Sequence, residues 1–245
     1  MRSHVFAAIA LAIALSAHVS MSADADRTLV RDGTPTSAVV VDRPGSEFAQ
    51  RAADELIYHV ERATGVELPV MKPNAIDELP DDHDVVVMGG GNIGESLGVS
   101  ASDLREEEFL IRTKGRYVVF AGHNLSRCGT RGGVSRVLDS PATVWAVDYF
   151  LDRHMGVRWL WPGQVGTFVP RTDTILVPDM DVTERPSLQA RLMRVNLFQS
   201  RRALGHVNTI EEFWADKPAA RLYHEANQWK SRHQMGARRD IYVAH

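Results

Sequence analysis

The stretch from Val157 to Gly163 holds the residues best suited to contact a ligand or another domain. It places Arg158 between two tryptophans, Trp159 and Trp161. Side chains two residues apart on a strand point to the same face, so we expect both indole rings on one face and Arg158 on the other. Paired rings of this kind either stack on sugar rings or fill a core. Arg158 is then free to meet a carboxylate or a domain interface.

Three glycines, Gly89, Gly91 and Gly94, follow an apolar run with the spacing of the dinucleotide-binding fingerprint. That site also needs a helix that begins inside the motif and an acidic residue at the end of the next strand. Here Gly98 and Ser100 interrupt any long helix, and the nearby acidic residues precede the following strand. We therefore expect a glycine-rich exit from a strand, and no cofactor.

The sequence motifs that would bind a metal ion or supply a catalytic nucleophile are incomplete. The segment His224 to Gln228 has glutamine where a zinc-protease helix carries its second histidine. The acidic run from Asp81 to Asp84 is interpreted as a solvated loop rather than a calcium site. The single cysteine, Cys128, cannot form an intramolecular disulfide. We assign no metal ligand and no catalytic residue.

The composition is that of a globular protein that does not bind nucleic acid. Of the 245 residues, 44% are apolar, and 28 Lys and Arg stand against 31 Asp and Glu, which gives a formal charge of −3. The isoelectric point is about 6.4. A nucleic-acid-binding domain normally has a basic excess, so no nucleic acid partner is expected.

Residues 1–25 have the pattern of a secretory signal peptide. Arg2 and His4 precede an apolar run from Val5 to Ala17, and small residues follow up to Ala25. The run is shorter than the ~20 residues that cross a bilayer as a helix. We expect a secreted or periplasmic protein that is not an integral membrane protein.

We expect two amphipathic helices and several short apolar strands to position the candidate residues named above. The first helix is predicted from Ser46 to Ala63, because its apolar residues form one stripe at helical spacing and Gly65 then stops it. The second is predicted from Ser140, as its N-cap, to about Met155. The order β-β-α-β-β-β-β-α-β-β-β predicts an α/β (α+β) fold, a mixed β-sheet with two principal helices packed on it.

The character of the sequence changes near residue 182. Residues 26–182 carry the predicted α/β domain. Residues 183–245 are rich in Arg, His and Trp and show no clean period. This change predicts a second, separate domain over residues 183–245.

Several stretches of the first domain resemble a known module. They resemble the N-terminal α/β domain of family 67 α-glucuronidases, which is similar to the non-catalytic second domain of β-hexosaminidases. The resemblance covers about residues 28–182, and it extends to secreted bacterial proteins that place this module ahead of a large (β/α)8 barrel. The residues that carry it are Ala53–Leu56, Ala63–Val70, Tyr149–Leu151, Gly156–Gly163 and Gly166–Pro170.

The resemblance implies a non-catalytic accessory domain of a secreted carbohydrate-active enzyme, an α-glucuronidase-like glycoside hydrolase that degrades polysaccharides. The catalytic carboxylates of such enzymes lie on the barrel. By the same resemblance, residues 186–195 and 241–245 are the first two barrel strands. Two strands cannot close a barrel, so residues 183–245 are expected to be an incomplete stub of a truncated barrel, and whether this chain is itself an enzyme stays open.

In the full-length context, the resemblance implies five substrate-binding residues near the ends of barrel strands. Each has an ordinary alternative as a solvated or packed side chain. Arg158, Trp159 and Trp161 would serve a domain interface or stack on sugars, and the expected partners are carbohydrate and the missing barrel. The alternative function is a self-standing carbohydrate-binding or cell-envelope interaction module, which exposed tryptophans would favour. The five residues are Arg191, Arg194, Trp229, Arg232 and His245.

Overall fold

The computed structural model describes residues 27–42, 46–125, 128–131, 134–137, 140–187, 190–191, 228–229, 231–234 and 236–237. Over these residues the chain is mixed α/β, with a mixed sheet and few helices, as the sequence predicts. No helix in this part of the chain is long and apolar enough to cross a membrane. The signal-peptide prediction lies outside the described residues.

The strands and helices have the following bounds. The strands are β1 (Arg27–Arg31), β2 (Thr34–Pro35), β3 (Ser37–Val41), β4 (Val70–Met71), β5 (Asp84–Met88), β6 (Phe109–Lys114), β7 (Tyr117–Gly122), β8 (Cys128–Arg131), β9 (Val134–Val137), β10 (Arg158–Trp159), β11 (Thr167–Phe168), β12 (Ile175–Val177), β13 (Asp181–Glu184), β14 (Ala190–Arg191) and β15 (Gly236–Ala237). The α-helices are α1 (Glu47–Thr64), α2 (Asn92–Ser96) and α3 (Ala142–Arg153), and short 3-10 helices cover Pro73–Glu78, Ala101–Asp103 and Gln164–Gly166.

The main sheet has six strands in the order β13-β6-β7-β5-β3-β4. Strands β4, β3, β5 and β7 run parallel to one another, while β6 pairs antiparallel with both β7 and β13. The predicted hairpin of β6 and β7 is confirmed, and Gly115 takes a positive φ of 56° in its turn. A smaller sheet in the order β12-β1-β2 lies beside it.

Helix α1 forms where its apolar stripe predicts. The Ser46 side chain accepts a hydrogen bond from the N–H of Ala49 at 3.4 Å, and Gly65 ends the helix in the left-handed region at φ 80°. One face, which includes Ala52, Leu56 and Val60, is fully buried. This face packs with α3 against the sheet.

Helix α3 begins one residue later than predicted, and Ser140 is not its cap. Pro141 stands at the N-cap without a side-chain hydrogen bond. The Ser140 hydroxyl instead donates to a carboxylate oxygen of buried Glu107 at 2.7 Å. Because the serine binds a neighbouring loop, it fixes the entry to α3 by a tertiary contact rather than by capping.

The central strands are buried on both faces. Val86 and Met88 of β5 pack beneath α1 and α3, while Val85 and Val87 face a second apolar layer. That layer is completed by the 3-10 segment around Ile76 and by residues in and after α2. Burial on both faces explains why the strands appear in the sequence as continuous apolar runs.

The domain boundary predicted at residues 182–183 falls inside β13, which pairs with β6. Beyond it, β14 pairs antiparallel with β15, with Ala190 opposite Ala237. Residues 192–227 and 238–245, which hold most of the predicted barrel strands, lie outside the described residues.

Candidate functional site

A polar cluster forms where α1, α3 and β10 meet residues 228–229 and 231–234, which we call the C-terminal turn. Helix α1 contributes Glu55 and His59, which are one helical turn apart. Helix α3 contributes Asp148, and β10 contributes Trp159. The C-terminal turn covers them, so residues from distant parts of the sequence share one site.

An ion pair between Arg232 and Glu55 is the central contact. The Nε and Nη2 groups of Arg232 donate to the two carboxylate oxygens of Glu55 at 2.7 and 3.2 Å. The two side chains are only 14% and 18% exposed. Burial is the largest influence on the pKa of Arg232 and would lower it, but the hydrogen bonds to Glu55 and the negative charges around the guanidinium together hold that pKa above its usual value. The guanidinium also lies over the Trp159 ring, 5.4 Å from its centroid.

The backbone carbonyl of Trp159 receives two further donors from the C-terminal turn. Trp229 donates through Nε1 at 2.9 Å, and His233 donates through Nε2 at 2.9 Å. The rings of Trp229 and His233 lie 4.5 Å apart. One strand residue therefore anchors the turn by its carbonyl and by its ring.

Asp148 is buried beneath this cluster. It is 3% exposed, and neither carboxylate oxygen has a hydrogen-bond partner. Burial, and then the like charge of Glu55, raise the pKa of Asp148 well above its usual value, against the smaller opposing effects of Arg232 and Arg51. The surroundings of this carboxyl group therefore favour its neutral, protonated form.

His59 is fully buried, and its surroundings favour the neutral imidazole. Burial lowers its pKa, although the nearby Glu55 opposes this. Its Nδ1 lies 2.9 Å from the Glu55 backbone carbonyl, so Nδ1 carries the proton and Nε2 is left without a hydrogen-bond partner. The ring meets Trp159 edge-on at 5.5 Å. His59 thus fills the space between the helix and Trp159.

The structure brings together three of the eight residues singled out by sequence. Trp159, Trp229 and Arg232 are in contact. Arg158 lies outside the cluster, where it donates to a carboxylate oxygen of Asp152 at 2.8 Å. The backbone of Arg191 is part of β14. Two residues, Arg194 and His245, lie outside the described residues.

The two tryptophans do not share a face, contrary to expectation. β10 ends at Trp159, so the chain has already turned by Trp161 and the two-residue alternation does not reach it. Trp159 is 6% exposed, whereas Trp161 is 72% exposed. Trp159 is therefore a core and interface residue, and only Trp161 is open to a partner.

A polar crevice of about 230 Å³ opens beside the ion pair. Arg51, Asp54, Val144 and Ser231 line it together with the Glu55–Arg232 pair. Glycoside hydrolysis needs two carboxyl groups that both reach the scissile bond. Asp148 is buried and Glu55 is held by Arg232, so neither of these two carboxyl groups is placed to reach a glycosidic bond.

Backbone N–H groups of the glycine-rich segment bind a carboxylate of the protein itself. Asp42, at the end of β3, accepts hydrogen bonds from the N–H groups of Ile93 and Gly94 at 2.9 and 2.8 Å. A Cβ on Gly91 would lie 2.5 Å from the Asp42 carbonyl oxygen. A phosphate would need the same first-turn amides, so Asp42 stands where a nucleotide would bind.

The acidic loop also has a structural role. Asp84 accepts a hydrogen bond from the backbone N–H of Thr28 at 2.7 Å, which joins the main sheet to β1. Within the described ranges, no three His, Cys, Asp or Glu side chains are grouped so as to hold a metal ion.

Sequence reasoning missed Glu55, His59 and Asp148. The signal for Asp148 was present, since an acidic residue stands four residues after Val144 on the apolar side of α3. His59 likewise stands on the buried stripe of α1. A polar residue inside an apolar stripe indicates a partner supplied by another element.

The fold and the cluster define a mixed α/β module whose helical layer holds a segment from the far end of the chain. No protein-family model matches this sequence, and no curated protein matches it.

Proposed function

We propose that this chain is the accessory α/β module of an exported carbohydrate-active enzyme of the α-glucuronidase-like glycoside hydrolase type. Its task is to brace a downstream barrel that supplies the catalytic carboxylates. The support is the residue pattern that resembles such modules, together with a helical face that binds downstream residues. In this proposal the N-terminal segment directs export, and the substrate is a polysaccharide or oligosaccharide.

One observation carries the proposal: the C-terminal turn is held on the module by buried, directional contacts. Arg232 pairs with Glu55, and Trp229 and His233 donate to the Trp159 carbonyl. The hydrogen bonds between the charged groups of Arg232 and Glu55 contribute about 1.5–3 kcal/mol each, and the two bonds to the Trp159 carbonyl about 0.5–1.5 kcal/mol each. A module that only tethered its neighbour would not need them. They are the contacts expected of a rigid brace.

The test compares this chain with the longest in-frame product of its own locus. Both would be assayed on aryl glycosides and glucuronoxylo-oligosaccharides. We expect hydrolysis only by a product that carries a barrel. Hydrolysis by the 245-residue chain alone, or a locus that encodes no barrel in frame, would contradict the proposal.

A second candidate function is a self-standing carbohydrate-binding or cell-envelope interaction module. The 72% exposure of Trp161 favours it, because an exposed indole can stack on a sugar ring. Binding to insoluble polysaccharide, measured for the native chain and for Trp161→Ala, separates the two candidates. Binding that is lost in the variant supports this second function, whereas the accessory role predicts no binding by either protein.

A further inference from the structure

One loop carries four apolar side chains that are more than half exposed. Residues 160–168, which comprise the turn after β10 and the following strand β11, are called here the apolar loop. Leu160, Trp161, Val165 and Phe168 are 73%, 72%, 102% and 58% exposed. Because four such side chains lie within nine residues of chain, this segment is a candidate interaction surface.

The apolar loop is a closed and well-defined turn. The Leu160 N–H donates to the Gly166 carbonyl at 2.8 Å, and the Thr167 hydroxyl donates to the Gly163 carbonyl at 3.0 Å. A Cβ on Gly166 would lie 2.2 Å from the carbonyl oxygen of Trp161, so the turn closes without room for a side chain there. A loop fixed in this way loses little conformational entropy when a partner binds.

The surface next to the apolar loop is already occupied by the downstream chain. Trp159 immediately precedes Leu160, and its carbonyl binds Trp229 and His233. In addition, β14, which precedes residues 192–227, pairs with β15, which follows the C-terminal turn. Residues 192–227 run from β14 to the C-terminal turn, so one of their ends is fixed beside the apolar loop. Such tethering gives them a high effective concentration there.

Residues 192–227 also have the chemistry that the surface needs. They include apolar and aromatic side chains such as Leu197, Phe198, Ile210, Phe213 and Trp214. We infer that the apolar loop is the docking surface for residues 192–227 of the same chain. This inference rests on the proposed bracing role and names the second surface through which the brace acts.

The test is site-specific photocross-linking in the full chain. A benzoylphenylalanine replaces Val165, and a matched control replaces Val70, which is 56% exposed on β4, an edge strand of the main sheet. After irradiation and digestion, mass spectrometry should find links within one chain to residues 192–227, at least tenfold more from position 165 than from position 70. Links only between two chains would show that the surface binds a second copy of the protein. An absence of links would show that the surface is exposed to solvent. Either result would overturn the inference.

A second measurement does not depend on cross-linking. Val165→Asp should raise the rate of protease cleavage within residues 192–227 about tenfold, without a change in the unfolding temperature of the module, while Val70→Asp should leave cleavage unchanged. If Arg232→Gln releases the C-terminal turn but Val165→Asp leaves cleavage unchanged, the docking inference fails and the bracing proposal stands. If neither substitution has an effect, both fail.

Discussion

Arg232 and Glu55 are 177 residues apart in the sequence and form a two-pronged ion pair between the C-terminal turn and α1. The same guanidinium faces the buried carboxyl group of Asp148 and lies over the ring of Trp159. Without it, Glu55 would be a partly buried carboxylate beside a second acidic group. One cation from the downstream chain therefore stabilises a contact between the two principal helices of the module.

Replacing Arg232 with glutamine should release the C-terminal turn. Both hydrogen bonds to Glu55 are charged, and a partly buried carboxylate would lose its partner, so we expect a loss of about 2 kcal/mol in docking, or roughly 30-fold faster exchange. Amide hydrogen exchange of residues 228–234 measures this directly.

Two variants control that experiment. Arg232→Lys should give an intermediate rate, because an ammonium group cannot reproduce the planar two-pronged contact. Arg153→Gln should have no effect, since the Arg153 side chain is 67% exposed and lies 3.5 Å from Asp152. Equal exchange in native protein and Arg232→Gln would show that the ion pair does not hold the turn.

Asp148→Asn should stabilise the module at neutral pH. The pKa of Asp148 is raised in the folded state, so the folded protein binds a proton that the unfolded chain releases. Its contribution is favourable below the ordinary pKa of an aspartate and is lost as the pH rises through the folded value. Asparagine keeps the size and neutrality of the protonated acid and has no such dependence. Urea unfolding of both proteins between pH 4 and pH 9 measures the difference (a range chosen to begin near the ~3.9 of a free aspartate).

The charged groups around Asp148 set the control for this prediction. Glu55 opposes its ionisation, while Arg232 and Arg51 favour it. Asp152→Asn changes a partly exposed residue on the same helix, 37% exposed at its side chain, and should alter the slope of stability against pH less than Asp148→Asn does. Parallel curves for native protein and Asp148→Asn would mean that Asp148 is ionised when folded.

Local signals in the sequence were enough to predict most of the layered fold. The stripe of α1, its Ser46 cap and its Gly65 stop all lie within one segment, so short-range physics determines the helix. The hairpin of β6 and β7 is likewise specified by its own residues and by Gly115. These elements needed no knowledge of distant partners.

The site could not be predicted because its geometry depends on tertiary contacts. The expectation for Trp159 and Trp161 assumed a strand that continued past both residues, but the closed apolar loop ends β10 at the first of them. Ser140 looked like a cap and instead binds Glu107. Neither outcome is encoded in the neighbouring residues alone.

Asp42→Ala should destabilise the module and disorder the start of α2. Asp42 is 6% exposed and its carboxylate accepts two backbone hydrogen bonds, so we expect a loss of about 2–4 kcal/mol in the free energy of unfolding. Asp77→Ala, at an exposed position, should change it by less than about 0.5 kcal/mol. Chemical denaturation compares them. If the two variants are equally stable, the hydrogen bonds from the Ile93 and Gly94 N–H groups to Asp42 do not stabilise the fold.

Gly166→Ala tests whether the apolar loop is closed in solution. An added methyl would lie within 2.5 Å of three atoms of Trp161, including backbone atoms that cannot turn aside, so the turn must open. We expect a loss of about 1–3 kcal/mol in stability and a change in the tryptophan fluorescence spectrum, because Trp161 moves. Gln164→Ala, at an exposed position in the same loop, should leave both unchanged. If Gly166→Ala matches the native protein in both measurements, the loop does not close around Gly166, and a docking surface built on its fixed shape loses its basis.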